Sequence, residues 1–184
     1  MVPRGSGTSL AGGALPTADS VILGVARLND VLETNYDDRY IRVQSGRTNL
    51  SVTGAVEHED FFYAPDPSSQ LACTIAGNIA MNAGGAHCLK YGVTTNNLLG
   101  VTLVMADGTV VELGGAHLDS AGYDLIGLVC GSEGQLGVVT EATQRAQHRH
   151  LDLALGLVAV VDQGLHRGGH VVAGDGLDGV QLSG

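Results

Sequence analysis

Three glycine-rich segments hold the residues whose types and spacing could do chemistry. The first is Arg4-Gly5-Ser6-Gly7-Thr8-Ser9-Leu10. Its glycines let consecutive backbone N–H groups point into one concavity and let the backbone approach a ligand closely. The Ser and Thr hydroxyls add neutral donors, and Arg4 is the one nearby cation. That is the chemistry of a diphosphate cradle. A Walker A loop is excluded, because no Lys-Ser/Thr pair follows the second glycine. A Rossmann fingerprint is excluded too, because Leu10 stands where its third glycine belongs. A plain Gly/Ser turn uses the same residue types, and the loop taken alone does not separate the two readings.

The second segment runs from Pro65-Asp66-Pro67-Ser68-Ser69 through Thr74 to Gly85. It is small and apolar, with Asn78 and Asn82 four apart. On a helix they would share a face and could hydrogen-bond a flat heterocycle or a sugar; capping and turn chemistry is the alternative. The third is Gly131-Ser132-Glu133-Gly134-Gln135-Leu136-Gly137-Val138-Val139-Thr140, a glycine-spaced turn leading into a strand. An ordinary helix–strand connection has the same pattern.

Elements must hold these loops. Val21 to Val25 reads as a buried strand, and Tyr40 to Gln44 alternates with period two as a half-buried one. Thr48 is an N-cap for a helix through Ala55 to about His58. Phe61 to Ser69 reads as a loop. Val101 to Met105 and Thr109 to Leu113 are strands joined at Asp107-Gly108, the strongest hairpin signal in the chain. Asp124 to Val129 is helical with Gly131 as its stop, and Gly137 to Thr140 is a further strand.

Composition excludes several functions. The 184 residues carry a formal charge of −10, and Lys90 is the one lysine, so nucleic acid is not the main partner. No apolar run reaches the ~18 residues of a membrane span, and Met1 to Gly5 carries no signal peptide. Cys73, Cys88 and Cys130 are odd in number and read as reduced thiols of a cytoplasmic protein. His148, His150, His166 and His170 have no ligand spacing, so no metal site is expected. His87 and Cys88 have no partner that makes a nucleophile and read as packing or polar lining.

In this order the three segments resemble the FAD-binding PCMH-type (vanillyl-alcohol-oxidase-type) flavoproteins. Pro3 to Ala14 is similar to their diphosphate loop. Pro65 to Gly92, with His87-Cys88-Leu89-Lys90-Tyr91-Gly92, resembles the glycolate oxidase flavoprotein subunit and D-lactate dehydrogenase type, as does Leu118 to Leu125 leading into Gly131-Ser132-Glu133-Gly134. The resemblance implies an α+β fold, with α/β lobes and a mixed sheet. It implies FAD-linked oxidation of a small 2-hydroxy acid, glycolate or D-lactate. The implied cofactor-binding residues are Arg4, Gly5, Ser6, Gly7, Thr8, Ser9 and Leu10 at the diphosphate. Asp66, Ser68, Thr74, Gly77, Asn78, Asn82, Gly84 and Gly85 would line the flavin, ribityl chain and diphosphate. Tyr91 and Gly92 would lie near the isoalloxazine, and Glu133, Gly137, Val138 and Val139 at the adenosine half. Thr8 stands where some relatives carry the histidine that bonds FAD covalently, so noncovalent binding is expected. Implied partners are other glycolate oxidase subunits, including an iron–sulfur subunit, and the implied location is cytoplasmic, peripheral to the inner membrane through them.

The resemblance covers residues 1–145. It implies a domain incomplete at its N-terminus and without the substrate-binding cap, so no residue here is singled out as catalytic and the chain alone is expected to be inactive. Residues 146–184 hold 8 of the 28 glycines and 4 of the 7 histidines. This compositional break reads as a divergent tail, frame-shifted or disordered. A module that only binds FAD, or an inactive fragment without turnover, is the alternative.

Overall fold

Short strands and short helices build the chain, as its frequent glycine punctuation requires. A computed structural model describes residues 1–117, 122–149, 170–172 and 181–183. In chain order the strands and helices are β1 (Val2–Arg4), β2 (Ile22–Gly24), β3 (Val31–Asn35), β4 (Tyr40–Gln44) and α1 (Asn49–Val56). There follow β5 (Phe61–Phe62), α2 (Ile75–Met81), α3 (Cys88–Tyr91), α4 (Thr94–Asn97), β6 (Leu98–Val104), β7 (Val110–Gly114), α5 (Leu125–Val129) and β8 (Val138–Arg145).

Five of the strands make one sheet in the order β3-β4-β8-β6-β7. Every pairing in it is antiparallel: Ile41 faces Gln144, Val43 and Val101 both face Ala142, and Leu103 faces Val111. Parallel pairing is found between β1 and β2, where Val2 faces Ile22. Period-two alternation sends Ile41 and Val43 of β4, Val101 and Leu103 of β6, and Ala142 of β8 into the core. There they pack with Val52 and Val56 of α1 and Ile75 and Ile79 of α2. Each such Val or Ile contributes roughly 1.5–3 kcal/mol on burial. The core is thus aliphatic, with Phe61 and Tyr63 as its buried aromatic members.

The helix expected after Thr48 forms as α1, but the Thr48 side chain makes no capping hydrogen bond, and a 3-10 turn follows over Glu57–Glu59. The Asp107-Gly108 turn joins β6 to β7 as expected. Three expectations are corrected. β2 is exposed at all three positions rather than buried, because among the described residues it pairs with the short β1 alone. The stretch from Phe61 opens with β5 instead of loop. Asn78 and Asn82 do not share a helix face: the helix ends at Met81, and Asn82 is its C-cap at φ 47°.

The chain divides into Met1–Gln147 and His148–Gly184. In the second unit the described residues include His170–Val172 paired antiparallel with Gln181–Ser183. The expectations for the rest of residues 150–184, and for Leu118 to Ala121, lie outside the described residues.

Candidate functional site

The three glycine-rich segments converge on one cleft of about 220 Å3 in the first unit. The end of β1 and the loop after it supply Arg4, Gly5, Ser6, Gly7, Thr8 and Ser9; the turn before α2 and α2 itself supply Thr74, Gly77 and Asn78; the turn leading into β8 and the start of that strand supply Glu133, Gly137, Val138 and Val139. Sequence reasoning also missed wall residues, among them Gly13, Ser69, Cys73, Met81, Val129 and Ser132. The spacing of Thr74, Gly77, Asn78 and Met81 was the usable signal, since residues three, four and seven apart share one helix face.

Local bonding fixes this geometry. Thr74 is the N-cap of α2, and its Oγ1 accepts from Gly77 N at 3.2 Å. The first loop presses on that cap: a carbon added at Gly5 would overlap Thr74 Oγ1, so only glycine lets the loop approach this closely. The Ser6 hydroxyl donates to the Ala72 carbonyl and anchors the loop. The backbone N–H groups of Ser6, Gly7, Thr8 and Ser9 make no hydrogen bond among the described residues. Asn78 is 1% exposed, and its Nδ2 has no hydrogen-bond partner of ordinary geometry. Cys73 is in the wall, and burial pushes its thiol up from the ordinary value of 9.0, so it stays neutral.

The other expected site residues lie outside this cleft. Leu10 is fully exposed, at 103%, and Ser68 is exposed. Asn82 Oδ1 accepts from Thr95 N at 2.9 Å and faces the Cys130 thiol at 3.6 Å. Asp66, Gly84, Gly85, Tyr91 and Gly92 belong to a cluster that the chain enters directly after Ala83, itself a wall residue. There Asp66 Oδ2 pairs with His87 Nδ1 at 2.5 Å, and Gly85 N donates to Cys88 Sγ at 2.8 Å. The Phe62 and Tyr91 rings meet edge-on at 5.6 Å. Among the described residues no group of three His, Cys, Asp or Glu could hold a metal ion.

Residues 1–114 match the family described as FAD binding domain. The chain belongs to this FAD-binding family. It is 52% identical over 143 residues to the glycolate oxidase subunit GlcD of Escherichia coli strain K12, a match covering 78% of the chain and 29% of that protein. The GlcD of Bacillus subtilis strain 168 is 47% identical, with 77% and 30% covered. The D-lactate dehydrogenase of Archaeoglobus fulgidus is 39% identical, with 77% and 32% covered. Among solved structures, an alkyldihydroxyacetonephosphate synthase superposes with a TM-score of 0.70 at 24% identity, covering 80% of the chain and 27% of that protein, and shares the fold. The chain spans about a third or less of the length of these relatives.

FAD is the cofactor this family implies, and the residues fit it. Unbonded amides on a glycine loop suit a diphosphate. The buried, unpaired Asn78 amide needs an acceptor, because an unsatisfied buried donor costs ~1–3 kcal/mol. Arg4 is the one cation among the described wall residues, so an anion there is held mainly through such dipoles.

Proposed function

We propose that Met1–Gln147 holds FAD noncovalently in this cleft, and that the chain supplies the flavin-binding part of an enzyme oxidising a small 2-hydroxy acid, glycolate or D-lactate, to the 2-oxo acid. The observation that carries the reading is the convergence of three segments, far apart in sequence, on one cleft with unbonded amides and an orphan amide donor. Bound there, the cofactor would supply the two-electron acceptor for oxidation at the substrate α-carbon. The Ser6 to Ser9 amides bind the diphosphate, and Arg4 balances its charge. Thr74 and Gly77 hold the loop at the distance this requires, and Asn78 donates into the cleft. Val138 and Val139 with Gly137 and Glu133 take the adenosine half, and the cluster of Asp66, Ser68, Asn82, Gly84, Gly85, Tyr91 and Gly92, together with Leu10, borders the rest of the cofactor. Thr8 offers no ring nitrogen for a covalent link to the flavin.

None of the described cleft residues is assigned to the substrate, and we infer that the chain alone holds the flavin without turnover. Its partners are further subunits of the glycolate oxidase type, one carrying iron–sulfur clusters. Three free cysteines and the lack of a described helix long and apolar enough to cross a membrane support a cytoplasmic place, peripheral to the inner membrane through those subunits.

The test is to purify the chain with added FAD and record its visible spectrum before and after acid precipitation. Yellow colour that stays with the native protein and is released by acid supports the reading. A colourless protein sinks it, and colour retained in the precipitate sinks noncovalent attachment. Bleaching of the bound flavin by glycolate or D-lactate would place substrate handling inside this chain, against the proposal.

A further inference from the structure

The five-stranded sheet has a second face. Ile41, Val43, Val101 and Leu103 point into the core with α1 and α2, so alternation along each strand sends their neighbours the other way. On that face one row crosses all five strands. Glu33 of β3 faces Arg42 of β4, Arg42 faces Thr143 of β8, Thr143 faces Gly100 of β6, and Gly100 faces Gly114 of β7. In the next row Thr102 faces both Glu141 and Glu112. Two adjacent strands therefore carry no side chain in the first row, and a notch of about 120 Å3 lies there. Backbone closes its floor, since a carbon added at Gly100 would fall 2.7 Å from Gly115 N.

The notch holds more acceptors than donors. Glu33, Glu112 and Glu141 line it against one cation, Arg42. Arg42 Nε and Nη2 both donate to Glu141 Oε2, at 3.0 and 2.6 Å. Tyr40 donates its hydroxyl proton to Glu33 Oε1 at 2.5 Å. The Glu112 carboxylate lies 3.9 Å from Arg42 Nη2, and its side chain is 77% exposed. Thr143 gives an independent sign. It is 9% exposed and lines the notch, yet its hydroxyl has no hydrogen-bond partner among the described residues. A hydroxyl so far buried is ordinarily bonded, and this one faces the space where a ligand would sit.

Surplus carboxylate oxygens call for a cationic donor. Among the described residues no group of three His, Cys, Asp or Glu could hold a metal ion, so the cation is an organic one. A guanidinium suits the notch better than an ammonium. It is planar and lies flat on a floor without side chains, it is more weakly hydrated, and its donors reach two carboxylates at once. The Arg42–Glu141 pair shows the same chemistry already at work in the notch.

We propose that this notch binds an alkylguanidinium cation, whose N–H groups donate to Glu112, to the second oxygen of Glu141 and to Thr143 Oγ1. The cation is a free guanidino compound or the arginine side chain of another protein.

Calorimetric titration of the whole chain tests this. The ligands are ethylguanidinium, ethylammonium and a glycine peptide with blocked ends and one central arginine. A salt concentration of about 0.15 M screens diffuse attraction to the acidic chain. Wild type is expected to bind ethylguanidinium roughly fivefold or more tighter than ethylammonium. Glu112→Gln, at an exposed position that does not threaten folding, should weaken guanidinium binding about fivefold by removing a charge-assisted bond. Thr143→Val keeps the side-chain shape without the hydroxyl and should weaken it about threefold. Peptide binding that Glu112→Gln weakens assigns an arginine of another protein. Ethylguanidinium binding without peptide binding assigns a free small molecule. Equal affinity for the two cations, variants that bind as wild type does, or no saturable binding of either guanidinium ligand overturns the proposal.

Discussion

The backbone N–H of Gly131 donates to the carbonyl of Ile79 at 2.8 Å, and this bond joins the third glycine-rich segment to the helix built from the second. The last carbonyls of a helix have no partner within it. In α2 those of Ile79 and Ala80 are taken by amides from the turn that leads into β8. The first segment is held on the other end of α2, where Gly5 meets the Thr74 cap. One seven-residue helix therefore sets the distance between the two loops that face each other across the cleft.

Gly5→Ala should damage the cleft without unfolding the chain. The added carbon overlaps Thr74 Oγ1, which is itself fixed by its bond to Gly77 N. The loop must shift, at about 1–3 kcal/mol. Retention of flavin colour through gel filtration should fall by roughly tenfold or more in affinity terms, given ~1.4 kcal/mol per factor of ten. An alanine variant that keeps FAD as tightly as wild type would show that the loop need not sit this close.

Thr74→Ala removes the cap of α2 and should cost about 1 kcal/mol, seen as a fall of roughly 2–4 °C in Tm. Thr74→Ser keeps the accepting oxygen and should retain most of that stability. Equal melting of the two variants would mean that packing of the methyl group, not the cap, is what Thr74 provides.

Gly85→Ala tests the neighbouring cluster. Its added carbon would overlap both the backbone carbonyl and the carboxylate of Asp66. Backbone cannot swing away as a flexible side chain can, so about 1–3 kcal/mol should be lost. A urea titration should show a lower midpoint with an unchanged slope. The same change at Gly54, where a side chain meets nothing within 4 Å, is the control.

Alkaline pH should destabilise the fold. Burial raises Cys73 and Cys130 above the ordinary 9.0, and raises Tyr63 above 10.0. The folded chain keeps these protons where the unfolded chain releases them. Their stabilisation is whole below about pH 9 and is lost as pH rises through the folded-state values. Melting temperature should therefore decline from about pH 9 upward. Tyr63→Phe should flatten that decline above pH 10. At neutral pH it should be neutral or stabilising, because the buried Tyr63 hydroxyl has no hydrogen-bond partner of ordinary geometry. A large loss at pH 7 would contradict this.

Local features are legible in the amino-acid order. Glycine at Gly5, Gly7, Gly134 and Gly137 marked the loops, Asp107-Gly108 marked the β6–β7 turn, and the order of the three segments marked the family. Such signals are local because turn geometry depends on a few adjacent residues. β3 was not legible, since Val31 to Asn35 has exposed apolar residues and no clean alternation; its pairing with β4 makes it a strand. β2 read as buried because its residues are apolar, but burial depends on what packs against a strand, which its own residues do not encode. The fate of the two asparagines shows the same limit. The helix stops one residue before Asn82, so Asn78 is buried at the cleft and Asn82 bonds to Thr95. Which loop residues meet in one cleft, and which turn aside to the Asp66–His87 cluster, is set by the packing of the folded chain. That choice rests on contacts between segments far apart in the chain, above all those made at the two ends of α2.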